Sequence, residues 1–230
     1  TTAQVQALTT AQVAALTTAQ IRALTTEQVA AIETADVAAL KSTQIAAFTT
    51  TQVAQGITSS QIAALVTVQV AALTTAQIAQ GLSSQQVVAL SSQQLQAFSS
   101  KQMAALTTDS ILALDPLVVA SLTTAQIAAL TTSQITFGLT TLQVSSLTTA
   151  QVAGLTALQV GSLTSDQIVA LETEDVQSLR TNQIVALKTS QIAALTTDQA
   201  VALSSAQFFA LSTSQVAALT TENISVIETE

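Results

Sequence analysis

An eight-residue period governs what this chain can fold into. Cut after each Leu, the sequence reads as 28 variants of Thr-Thr-Ala-Gln-Val-Ala-Ala-Leu, with three one-residue insertions and the tail Glu228-Thr229-Glu230. Octads are numbered 1 to 28 in chain order, and positions 1 to 8 within each. Such a period overrides the usual reading of length as one or two globular domains. It predicts one continuous array over residues 1–230, in which each octad must stack on others to bury an apolar face. The array begins and ends in repeat register, at Thr1-Thr2 and Ile227, which suggests an excerpt of a longer chain.

Comparing the octads with one another shows what each position demands. Position 8 is Leu, Ile or Phe throughout. Position 5 is a large apolar residue except at Ala200, where the adjacent Val201 is expected to take over the core role. Positions 5 and 8 are therefore the core anchors. Position 7 in the octads without an insertion is Ala, Ser or Gly apart from Val226, so another element is expected to approach the backbone there. Position 6 accepts Gln6, Arg22, Gln96, Val169 and Phe209 and reads as semi-exposed. Position 4 is Gln in 23 octads, the departures being Asp36, Ser110, Val118, Asp175 and Asn223.

Positions 5 and 8 fall on one helical face, the residues between them favour helix, and a hydroxyl residue precedes them as an N-cap. The fold class expected is all-α, a repeat solenoid of short helices with one helix per octad. Two cap assignments fit. With position 1 as cap, Thr-Thr-Ala-Gln is a capping box, and Asp115-Pro116 places a good cap before a proline at the first helical position. With position 2 as cap, the Lys41, Val66, Arg180 and Lys188 substitutions at position 1 are those of a free linker, which tilts the balance slightly toward position 2. Fusing octads into one helix is excluded: eight residues advance the apolar stripe by roughly 80° per octad, which no partner can follow. Gly56, Gly81 and Gly138 each sit in an insertion just before position 8, where a left-handed residue would end a helix. A β-solenoid is the alternative, since Thr, Val and Ile favour strands. Frequent Ala-Ala pairs and few corner residues weigh against it.

Composition narrows function further. With 49% hydrophobic residues but only 8% charged, and no His, Cys, Trp or Tyr, the chain lacks most groups used for proton transfer, nucleophilic attack and metal ligation. No catalytic, cofactor-binding or metal site is expected. Five cations within a net charge of −8 cannot supply the phosphate neutralisation of nucleic-acid binding, and the same balance repels anionic lipid surfaces. Polar residues interrupt every apolar run well short of a membrane span, so no membrane insertion is expected. No basic segment followed by an apolar stretch opens the chain, so no signal peptide is read in it. Absence of Cys leaves the redox compartment open.

Four features are candidate sites. Glu172, Glu174 and Asp175 form the densest carboxylate group and offer oxygen ligands for Ca²⁺, but without the glycine-assisted loop of a calcium site they read as a solvated acidic turn. Asp109 and Asp115 flank an irregular octad; a catalytic carboxylate pair is outweighed by a local adjustment of caps and packing. The Gln column reads as structural, either capping helix ends or bonding between successive coils. Phe48, Phe98, Phe137, Phe208 and Phe209 read as core fillers, with Phe209 at position 6 a possible exposed contact.

The run Leu-Thr-Thr-Ala-Gln-Val-Ala-Ala-Leu, from Leu8 to Leu16 and again around Gln126 and Gln191, resembles the octapeptide-repeat regions of very large bacterial surface or secreted proteins labelled as adhesion or haem-utilisation proteins. The resemblance implies an extracellular or cell-surface location and a structural or adhesive role. No haem ligand set accompanies it, since Met103 stands alone. Leu114-Asp115-Pro116-Leu117-Val118-Val119-Ala120 also looks like the opening of a TAL-effector repeat, which implies a short helix from Pro116; the base-reading part of that repeat is missing. The function expected is a stalk, fibre or sheath subunit that self-associates end-to-end or laterally. A solenoid that binds a protein or glycan ligand is the alternative, and an ice-binding Thr array a remote one.

Overall fold

A computed structural model describes residues 1–227; the tail Glu228-Thr229-Glu230 lies outside the described residues. Each octad forms one helix of four to seven residues, and no strand occurs among the described residues, so the protein is an all-α solenoid of short helices and the strand alternative falls.

The helices start where hydroxyl and amide chemistry satisfies their open ends. Thr9 is extended, at φ −78° and ψ 157°. Its Oγ1 accepts from the Gln12 backbone N–H at 3.3 Å, while Gln12 Oε1 accepts from the Thr9 backbone N–H at 2.8 Å. This capping box recurs along the array and fixes position 1, not position 2, as the cap. The Lys, Val and Arg substitutions at position 1 misled because half of the box needs no side chain there. The backbone N–H groups of Lys41, Val66, Arg180 and Lys188 donate to their position-4 Gln at 2.7, 2.8, 2.6 and 2.6 Å. The expected helix at Pro116 spans Pro116–Ser121, with Asp115 Oδ1 accepting from the Leu117 N–H at 2.8 Å.

The helices end without left-handed residues. Leu16 and Leu24 take φ −57°, ψ 138° and φ −64°, ψ 140°, and the next cap is extended too, so two extended residues turn the chain. No described residue, glycine included, has positive φ, which corrects the reading of the insertion glycines as left-handed terminators. The extra residue instead widens one turn: the Ile57, Leu82 and Leu139 N–H groups reach back five residues to the carbonyls of Gln52, Gln77 and Gln134 at 2.8, 2.9 and 3.0 Å. Gln52–Gly56 and Gln134–Gly138 are π-helical, the signature of a single insertion absorbed within a helix. Glycine is needed for space. A Cβ on Gly81 would lie 2.5 Å from the Gln77 carbonyl oxygen and 2.9 Å from Val53 Cβ, and one on Gly56 would lie 3.0 Å from Val29 Cβ.

The helices gather into two compact units, residues 1–114 and 115–230. In the first, helix Thr34–Ala39 packs on Thr10–Ala15 and helix Ser100–Ala105 on Thr75–Gln80. In the second, Thr181–Ala186 packs on Ala157–Ser162. These partners are three octads apart. Side-chain bonds join octads four apart, so within each unit one turn of the coil takes between three and four octads. The core is the column of position-5 and position-8 residues: Ile45, Ile62, Val70, Ile184 and Ile192 are fully buried. Position 7 is small for the expected reason. Ser146 Oγ donates to the Pro116 carbonyl at 3.0 Å, three octads back, and a Cβ on Gly154 would lie 2.1 Å from Thr124 Cγ2.

Candidate functional site

The most elaborated polar feature is the column of position-4 glutamines, which caps helices and bonds between coils with the same side chain. Gln191 is 1% exposed. Its Oε1 accepts from the Lys188 backbone N–H at 2.6 Å, and its Nε2 donates to the Val160 and Leu163 carbonyls at 2.9 and 2.8 Å, four octads back. Gln215 repeats the pattern on Ser212, Ile184 and Leu187, and Gln61 does so in the first unit on Thr58, Val29 and Ile32. Each buried amide thus satisfies an N-terminal donor of its own helix and C-terminal acceptors of a helix one coil away, the groups that a short helix otherwise leaves open. A five-residue helix cannot persist alone in water; here the amide ladder and the apolar columns hold each one in place. The two structural readings of the column hold at once.

Asp175 departs from this pattern and from the expected solvated acidic turn. Glu172 and Glu174 are exposed, but Asp175 is 2% exposed and its Oδ2 has no hydrogen-bond partner. Occupying position 4, it lacks the amide donor that Gln supplies to the coil beneath. Burial pushes its carboxyl above the ordinary carboxylate range, and the nearby Glu172 and Glu174 charges add to that, against hydrogen bonds from Thr149 and the Glu172 backbone. Among the described residues no three carboxylates converge as metal ligands, so the three acids do not form the oxygen cage considered for Ca²⁺.

The Asp109 and Asp115 carboxylates belong to helix starts: Asp109 is exposed in the first turn of Thr108–Leu112, and Asp115 is a cap. Phe48 and Phe98 are core residues as expected, at 4% and 3% exposure, and Phe208 is half-buried. Phe137 corrects the core-filler reading: it is 73% exposed, because the π-turn that absorbs the insertion rotates the residue before Gly138 outward. Gln55 and Gln80, at the equivalent place, are exposed too. Phe209 is exposed, as its position allows. Val201 does not replace Ala200 in the core. Ala200 keeps the buried site while Val201 points outward, because helical register fixes which residue faces in. A cleft of about 390 Å³ lies beside them, lined by Ala200, Val201, Leu203, Phe208, Phe209 and Ile227. No helix among the described residues is long and apolar enough to cross a membrane.

A model of the ALTTAQ repeat matches residues 1–26, 29–67, 80–108, 168–205 and 201–229. No curated protein matches the chain.

Proposed function

The chain belongs to the ALTTAQ repeat family, and from that premise we propose that it is a non-catalytic structural element of the cell surface or extracellular space, a stalk, fibre or sheath subunit whose size is set by repeat number. The observation that carries this reading is the use of the polar side chains. Position-1 hydroxyls and position-4 amides, the groups a binding or catalytic site would draw on, are engaged in capping and inter-coil bonds over nearly the whole array. What remains at the surface is Thr, Ser, Ala, a sparse and mostly negative charge, and scattered large apolar residues such as Leu117, Leu158 and Phe209, a composition suited to contact with other copies and with its surroundings.

Two measurements test it. Antibody labelling of intact source cells should detect the chain, and protease added outside should remove it; detection only after lysis overturns the surface role. In-frame deletion of whole octads should weaken the associated cell phenotype in proportion to the number removed. Abrupt loss on deleting one particular octad would point to a localised binding site instead.

A further inference from the structure

Among the described residues, Asp175 Oδ2 is the one buried side-chain oxygen or nitrogen without a hydrogen-bond partner. The amide ladder sets what surrounds it. Gln167 in octad 21 bonds to the Ile135 and Leu139 carbonyls of octad 17, and Gln183 in octad 23 to the Val152 and Leu155 carbonyls of octad 19. Octad 22 lies between them in the same register, so its position 4, Asp175, faces the Val144 and Leu147 carbonyls of octad 18. The Leu147 carbonyl accepts no hydrogen bond among the described residues, and the Val144 carbonyl accepts from the Leu147 N–H at 3.1 Å. A carboxylate oxygen and carbonyl oxygens meet where other rungs set a donor, and all of them are acceptors.

A buried carboxylate is kept ionised by a paired cationic side chain or a metal ion. The chain supplies no such side chain here. The helices that pack on Thr173–Ser178 are Thr149–Gly154 and Thr197–Val201, and neither carries Lys or Arg. The charges nearby, Glu172, Glu174 and Asp198, are exposed and of the same sign. A pairing in the sequence points the same way. Asp occupies position 4 only in octads 5 and 22, at Asp36 and Asp175, and Glu occupies position 1 only in the same two, at Glu33 and Glu172. A second negative charge beside a buried carboxylate is unfavourable by itself and favourable when both face a cation.

We propose that Asp175, with the Leu147 and Val144 carbonyls, binds a monovalent cation of potassium size, which takes over the rung that glutamine makes elsewhere. Charge selects the valence: one buried carboxylate among neutral carbonyls balances a single positive charge. Distance selects the ion. The amide nitrogens of the two neighbouring rungs lie 2.6 to 3.3 Å from their carbonyl oxygens, and an ion in the same place meets oxygens at those lengths. Ca²⁺ draws oxygens in to about 2.3–2.6 Å and Mg²⁺ to about 2.0–2.1 Å, whereas carbonyl oxygens that replace a hydration shell suit K⁺. Asp is one methylene shorter than Gln, which sets Oδ2 back from the amide position and leaves it facing the ion. Octad 22 thereby becomes an ion-dependent link in the second unit.

Urea unfolding and hydrogen exchange of the 230-residue chain test this, in mildly alkaline KCl and in choline chloride of equal ionic strength. K⁺ should raise the unfolding midpoint and slow amide exchange in octads 18 and 22, by about elevenfold at ten times its dissociation constant. Asp175→Asn, similar in shape but uncharged, should abolish the difference between the two salts. Asp175→Gln should protect both octads equally in either salt, because its amide reaches the octad 18 carbonyls directly. Identical behaviour of the unsubstituted chain in the two salts overturns the proposal, and so does a K⁺ effect that survives in Asp175→Asn. CaCl₂ acting at lower concentration than KCl also overturns it, since the site then takes a divalent ion. An Asp175→Gln chain no better protected than the parent in choline chloride refutes the register on which the site is built.

Discussion

Replacing Gln191 with Leu isolates what the amide ladder contributes. The substitution keeps a side chain of similar bulk at a site that is 1% exposed and removes three hydrogen bonds, one from the Lys188 N–H and two to the Val160 and Leu163 carbonyls. At about 1 kcal/mol net for each bond, with the Leu163 carbonyl left unsatisfied while Val160 still accepts from the Leu163 N–H, the cost is about 3 kcal/mol. That is a large fraction of the stability of an ordinary domain, about 5 to 15 kcal/mol. Gln12→Leu is the control. Gln12 has the same capping bond, from the Thr9 N–H at 2.8 Å, but no bond to an earlier coil, so its loss should cost about 1 kcal/mol. The difference of about 2 kcal/mol is the inter-coil half of the interaction. Urea unfolding followed by circular dichroism in dilute solution gives both costs, and hydrogen exchange should show the Gln191→Leu effect concentrated in octads 20 and 24, as expected where each unit contacts only near neighbours. Equal costs at the two sites would refute the assignment of stability to the ladder.

Other consequences follow from the same geometry. Asp175→Gln restores the missing donor and removes a buried unpartnered oxygen, and should stabilise the second unit by about 1 to 3 kcal/mol at neutral pH in chemical denaturation. Because burial raises the Asp175 pKa above its unfolded value, its contribution is fully present below the unfolded carboxylate range and is lost as pH rises through the raised folded value; Asp175→Gln should flatten the profile across that window. Gly161→Ala places a Cβ 2.6 Å from the Ala186 backbone carbonyl oxygen and should lower stability by about 1 to 3 kcal/mol, while Gly154→Ala meets only the Thr124 methyl, which can turn away, and should cost less when the two are compared by urea unfolding. Thr74→Val removes the Oγ1 that accepts from the Gln77 N–H at 3.1 Å but keeps the reciprocal bond, and should cost about 1 kcal/mol; Val66→Thr should gain a comparable amount.

Most of the local structure was legible in the octad itself. One helix per octad, a hydroxyl cap, a core at positions 5 and 8, a small position 7 and an outward position 6 all follow from helical periodicity and end chemistry, which act over a few residues. The errors have a common cause. Choosing between caps from what position 1 tolerates failed at Val66 and Arg180 because the group recognised is the backbone N–H, present in either residue. The glycines of the insertions were judged by their φ preference, when the limit at Gly81 is the approach of Val53 from another coil. Reading Asp175 with Glu172 and Glu174 as one solvated cluster ignored that position 4 faces inward whatever residue stands there.

The sequence by itself determined the unit: a short capped helix with one apolar face, unable to stand alone. Tertiary structure alone decided which unit lies on which. Octads this alike carry no mark that distinguishes the third or fourth neighbour from any other. The choice comes from the angle set by the extended residues at positions 8 and 1, accumulated from octad to octad until a helix returns over an earlier one. Only that return gives the glutamine Nε2 its carbonyls and buries Asp175 with one carboxylate oxygen unpartnered.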